Sequence, residues 1–327
     1  MDSDGQNDIL MLIGVVALFI YLIFNGAQIN RPTAEDGLFK EGDFVKTNSI
    51  LASNQNTLGQ GYDHVTVFNL SDYITLGSGN ARNEENSGKE YIVIEASKKM
   101  PRPVQVSGWI LENGGGERLY DQGGKVVRGV TRRVAIPYGT YLISGDGKDA
   151  IYPIVLNPGG KMMVTTGRPT AIRSEFKIDS SFQENICTGY IEGFRSYDFS
   201  PALARNCPKP SKEVGLSNLS NSCQDFIESR ISTCKTPIFE DYKVIGRENV
   251  KGRYMDDREV DISRGCQEYI EDHFNYRGCL KYHLRDTDLL LGVWRVYLRE
   301  TWELWANKDE NIKLYDQKGV LIDELEY

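Results

Sequence analysis

The sequence predicts a mainly β protein with one cysteine-rich, mainly helical block and a single N-terminal transmembrane helix. Three observations carry this. Short strand-like runs recur from Asp72 onward at roughly ten-residue spacing. All six cysteines fall between 187 and 279. An unbroken apolar run occupies Ile9–Phe24. The composition, 40% hydrophobic and 26% charged, is that of a folded chain, and 32 glycines with 18 tyrosines favour strands joined by tight turns. A net charge of −8 argues against a protein built to grip phosphate backbones, so no nucleic-acid partner is expected.

Residues 1–8 form a short polar tail. The 16 apolar residues Ile9–Phe24 reach about 24 Å as a helix and, with Asn25–Ala27, approach the hydrocarbon core of about 30 Å. Residues 9–27 are therefore read as the membrane anchor. A cleaved signal peptide is the alternative, since Gly26-Ala27 supplies small residues, but no basic segment precedes the run. Arg31, Lys40 and Lys46 follow the run while residues 1–8 hold no Lys or Arg, a weak bias towards a cytoplasmic C-terminal part. The cysteines argue for the opposite side and outweigh it. Residues 28–71 are polar and read as a stalk.

The strand pattern follows in order. Tyr91–Glu95 and Gln105–Glu112 read as short strands, the second leading into the Asn113-Gly-Gly-Gly116 turn. Arg133–Ile136 and Thr140–Ile143 flank a Pro-Tyr-Gly turn. Tyr152–Leu156 runs into Asn157-Pro-Gly-Gly160, where Pro fixes φ and Gly supplies positive φ, and Lys161–Thr166 returns as a strand. Such a series suggests a β-sandwich.

An even number of cysteines behind an apolar anchor suggests disulfides in an oxidising compartment. Free buried thiols are the bland alternative. A zinc site from Cys266, His273, Cys279 and His283 has spacings that match no compact finger. The segment Cys223-Gln-Asp-Phe-Ile-Glu recurs as Cys266-Gln-Glu-Tyr-Ile-Glu, and each copy ends at another cysteine, Cys234 or Cys279. If each segment is a helix, its two cysteines lie roughly 16–19 Å apart, too far to bond each other. Two antiparallel helices stapled at both ends then give Cys223–Cys279 and Cys234–Cys266, leaving Cys187–Cys207.

The order Glu90-Tyr-Ile-Val-Ile-Glu95, Val106-Ser-Gly-Trp-Ile-Leu111 and Leu156-Asn-Pro-Gly-Gly160 resembles the lamin-tail domain family, as does the closing hairpin Ile312–Tyr327. The resemblance covers about 72–170 and 295–327, and Thr165-Thr-Gly-Arg-Pro followed by Cys187-Thr-Gly-Tyr is similar to bacterial membrane members with a cysteine-containing insert. It implies an immunoglobulin-like β-sandwich, residues 72–170 and 295–327, interrupted by a mainly helical disulfide-linked insert, residues 171–294. It implies no catalytic residues and a surface or envelope role.

Of the four tryptophans, Trp109 is expected in the core, while Trp294, Trp302 and Trp305 are the candidate binding residues, an aromatic platform for glycan or protein. Asp286-x-Asp288 lacks the loop glycine and distal Glu of a calcium site. No nucleophile elbow, zinc-protease helix motif, P-loop or dinucleotide fingerprint is present. No cofactor or metal is expected. The expected function is a non-catalytic, membrane-anchored cell-surface module for adhesion, envelope organisation or binding of a surface protein or glycan. The rival is an extracytoplasmic hydrolase of wall or glycan with a site in the insert or at the insert–sandwich seam, which a concave cluster of ionisable residues near Glu268, Asp272, His273, Asp286 and Asp288 would favour.

Overall fold

A computed structural model describes residues 68–327, apart from 115–118, 122–125, 129–131, 145–148, 172–177, 179, 194–196, 246–248 and 255–257. The tail, the anchor 9–27 and most of the stalk lie outside the described residues. Among the described residues no helix is long and apolar enough to cross a membrane.

Two sheets share one apolar core. The larger has six strands in the order Ile74–Gly77, Tyr91–Ala96, Lys161–Thr165, Leu290–Tyr297, Ser181–Asn185, Gly139–Thr140. The smaller runs Leu321–Glu326, Asn311–Tyr315, Ile110–Glu112, Arg133–Ala135 and is antiparallel throughout. Alternation sets the facing. In Tyr91–Ala96, Ile92, Ile94 and Ala96 are buried while the intervening residues are not. Ile92, Ile94, Met162, Val164 and Val296 from one sheet meet Leu111, Ile312, Leu314 and Ile322 from the other, with Trp109, Trp294 and Trp305 filling the space between. The closing hairpin turns at Asp316, whose Oδ1 accepts the Lys318 and Val320 N–H groups, and Gly319 supplies φ +80°. Asp323 then accepts the Leu76 N–H at 2.6 Å, tying the last strand to the edge of the six-stranded sheet.

This architecture corrects the expected fold class. The structure is mixed sheet and helix, not a mainly β immunoglobulin-like sandwich with a mainly helical insert. Lys161–Thr165 pairs with Leu290–Tyr297 in parallel, as Ser181–Asn185 does with Gly139–Thr140. Parallel neighbours require a long crossover, and the cysteine-rich block is that crossover. The block is also part of the sheet it leaves. Ser181–Asn185 and Leu290–Tyr297 pair antiparallel with each other, and a further antiparallel sheet of Phe239–Ile245, Asn249–Tyr254 and Arg258–Ser263 lies within it. The Ser181–Asn185 strand shows none of the usual alternation, because all five residues, Ser-Phe-Gln-Glu-Asn, are buried.

Four α-helices are described in the block: α1 Gly189–Gly193, α2 Asn221–Arg230, α3 Arg264–His273 and α4 Tyr276–His283. Ser263 caps α3 by accepting the Cys266 N–H, and Asn275 caps α4 by accepting the Gly278 N–H. A second core gathers Phe182, Ile191, Ile227, Ile270, Phe274 and Leu280 around the cysteines.

Candidate functional site

All six cysteines form disulfides, and the pairs are Cys187–Cys279, Cys207–Cys234 and Cys223–Cys266. The expected Cys223–Cys279, Cys234–Cys266 and Cys187–Cys207 pairs do not occur. The two echoed segments are not continuous helices. Helix α2 ends at Arg230, before Cys234, and α3 ends at His273, so that Asn275 restarts the chain as α4 and carries Cys279 elsewhere. What the echo does bring together is the first cysteine of each copy. These bonds also occupy Cys266 and Cys279, the sulfurs a zinc site would need.

A group of ionisable side chains sits where the segment after Cys207 crosses α3 and α4. Glu213 is buried, and its Oε1 lies 3.1 Å from His273 Nδ1 and 3.1 Å from His283 Nε2. His283 Nδ1 lies 2.7 Å from Asp286 Oδ2. Ionised carboxylates only accept, so His283 must carry a proton on both nitrogens and is held as the imidazolium. The Glu213 bond raises it most, against the burial that would lower it, and with the Asp286 bond it rises to about 9. Burial alone would raise the Glu213 carboxyl, but the bonds and charges of the two histidines overcome it and hold it at about 2.

The His273 ring is stacked between Tyr269 and Tyr282, with centroids 3.9 and 3.8 Å away. The Tyr282 hydroxyl donates to Asp272, and Lys281 Nζ donates to both Asp272 oxygens at 2.8 and 3.0 Å. Bonds from Lys281 and then Tyr282 keep the Asp272 carboxyl low.

The structure therefore brings His273 and Asp286 together with His283 and Glu213, while Asp272 is bonded to Lys281 and Tyr282 beside them. It does not bring in the other two expected members. Glu268 pairs with Arg264 one turn away on the exposed face of α3, and Asp288 is exposed after α4. Glu213 is the residue sequence reasoning missed. It lies in Pro-Ser-Lys-Glu-Val-Gly, a stretch without periodicity, and no local signal marks it as buried.

The proposed aromatic platform is not assembled. Trp294 and Trp305 are core residues, and Trp294 Nε1 donates to the Val155 carbonyl at 3.0 Å. Trp302 alone of the three is exposed, at 41%. Trp294 belongs to the strand Leu290–Tyr297, whereas Trp302 and Trp305 follow in an irregular segment.

Two buried polar groups join the parts. Arg295 Nε meets Glu184 Oε1 at 2.5 Å, and its other nitrogens donate to the carbonyls of Pro201 and Ala202 at 2.5 and 2.8 Å. Glu184 Oε2 accepts the Ala204 N–H at 3.1 Å. Glu90 accepts the N–H groups of Leu304 and Trp305, and burial pushes its carboxyl up to about 7 despite those bonds.

No family model, curated protein or solved structure matches the chain.

Proposed function

We propose that the chain is a non-catalytic interaction module displayed in an oxidising compartment outside the cytoplasm, serving adhesion, envelope organisation or the binding of a surface protein or glycan. One observation carries the reading: three disulfides close the block between 187 and 279, a density of cross-links typical of chains exposed to an oxidising milieu. The apolar run Ile9–Phe24, known from sequence alone, supports attachment to a membrane. The motif likeness to the lamin-tail family points towards a scaffold role as well. Exposed Trp302 is the side chain through which a glycan or protein face would be met.

The test is thiol labelling of intact cells with and without reductant, followed by fractionation. The expected result is no labelling until reductant is added, with the chain in the membrane fraction. Labelling without reductant overturns the location. A hydrolase is the second reading because Glu213, His273, His283 and Asp286 form one bonded group. The bonding of these groups to one another favours a structural role. Turnover of cell-wall glycan by the full chain, lost in Glu213→Gln while the fold persists, would decide for the enzyme.

A further inference from the structure

We propose that Lys209–Ser220 is a strap, latched over the Tyr269, His273 and Tyr282 stack by the Glu213 carboxylate, which lifts as a unit when His283 loses its proton. The ends of the strap are fixed: Cys207 is bonded to Cys234 and Cys223 to Cys266. Between them the backbone bonds Lys212 N–H to Lys209, Glu213 N–H to Pro210, Leu216 N–H to Glu213 and Asn218 N–H to Gly215 all stay within the strap. These bonds travel with it and do not hold it down. What crosses to α3 and α4 is the Glu213 carboxylate, on His273 and His283, and the Val214 carbonyl, which accepts the Tyr269 hydroxyl at 2.7 Å, while at the far end the Leu219 carbonyl accepts the Gln224 side-chain amide and the Ser220 carbonyl accepts the Cys223 and Gln224 N–H groups of α2, which hinge the strap there. Pro210 and Leu216 add buried apolar contact, while Lys209, Lys212 and Val214 face solvent.

The charged and titratable groups around the latch come from every element packed there. They are His273, Tyr269 and Asp272 from α3, His283, Tyr282 and Lys281 from α4, Asp286 after it, and Tyr190 from α1, whose hydroxyl is raised by burial and by the nearby Glu213 charge. Of these, His283 is the one cation bonded on both ring nitrogens. Once neutral, it can donate to Glu213 or to Asp286 but not to both, and with either tautomer the buried Glu213 carboxylate loses the positive charge that offsets its burial. Lifting uncovers the Tyr269 ring and the His273 edge.

The experiment is limited trypsin digestion of the oxidised full chain after Lys212, at about pH 7.5 and about pH 9.5, normalised to an unstructured peptide, with tryptophan fluorescence recorded in parallel. The expected result is a rise in cleavage of about tenfold at the higher pH with unchanged fluorescence. His283→Gln is expected to cleave rapidly at both. Asp286→Asn, which removes the half-exposed supporter of the His283 cation, moves release to lower pH and serves if His283→Gln does not fold. Equal cleavage at both pH values, release that tracks global unfolding, or an Asp286→Asn profile identical to wild type would each overturn the proposal.

Discussion

Arg295→Met tests how the crossover block is joined to the sheet. Arg295 sits on Leu290–Tyr297, the strand shared by both halves of the six-stranded sheet, and its side chain is 4% exposed. The substitution keeps most of the volume and removes three donated bonds, to Glu184, Pro201 and Ala202. Glu184, 1% exposed at its side chain, keeps the Ala204 N–H but loses its counter-charge. Removing one member of a buried ion pair costs about 3–5 kcal/mol, which for a chain of this size lowers Tm on the order of 10 °C. The assay is thermal and urea denaturation of the oxidised full chain. Glu184→Leu alone should cost a similar amount, and the double variant should recover most of it, because no isolated charge is left. A loss under about 1 kcal/mol for Arg295→Met, or a double variant as weak as the sum of the singles, would refute the assignment of this pair as the joint.

Other outcomes follow from the same geometry. Stability should peak near about pH 4.5. The Glu213 carboxyl is depressed from 4.5 to about 2, so its contribution is complete above 4.5 and lost as pH falls towards 2. Glu90 is raised from 4.5 to about 7, so its contribution fades as pH rises through 7, and Glu90→Gln should flatten that limb. His283 is raised from 6.5 to about 9, so its share is full below 6.5 and lost as pH rises through 9. The Glu90 limb amounts to about 3 kcal/mol at about 1.36 kcal/mol per pH unit, while the Glu213 and His283 limbs report one shared interaction, are smaller for solvent screening and do not add. Urea titrations across pH check this. Replacing Cys187 and Cys279 by Ser should cost about 1 kcal/mol more than replacing Cys207 and Cys234, because their sequence separation is 92 against 27. Trp305→Ala should cost about 3–5 kcal/mol and Trp302→Ala little, so a glycan-binding loss in Trp302→Ala at unchanged Tm isolates recognition from folding.

What the sequence disclosed depended on where the physics was local. Tyr91–Ala96 and the closing hairpin were legible because alternating burial and an Asp-x-x-Gly turn are written into neighbouring residues. Oxidised cysteines were legible from their number and clustering. Their pairing was not, because helix stops at Arg230 and His273 depend on the caps and packing that follow. Ser181–Asn185 was illegible as a strand because Gln183, Glu184 and Asn185 are buried by partners far along the chain, such as Leu291 and Arg295. Glu213 escaped notice for the same reason, since the two rings that hold it lie on later helices.

The parallel seam between Lys161–Thr165 and Leu290–Tyr297 has a consequence for biogenesis. During synthesis, Met162 and Val164 emerge long before the strand that will lie beside them. Until residue 297 leaves the ribosome, that margin of the nascent sheet is open to solvent and to neighbouring chains. Any chaperone or oxidase that meets this polypeptide on its way out therefore meets it with the seam unzipped, and the last disulfide partner, Cys279, arrives just ahead of the strand that closes it.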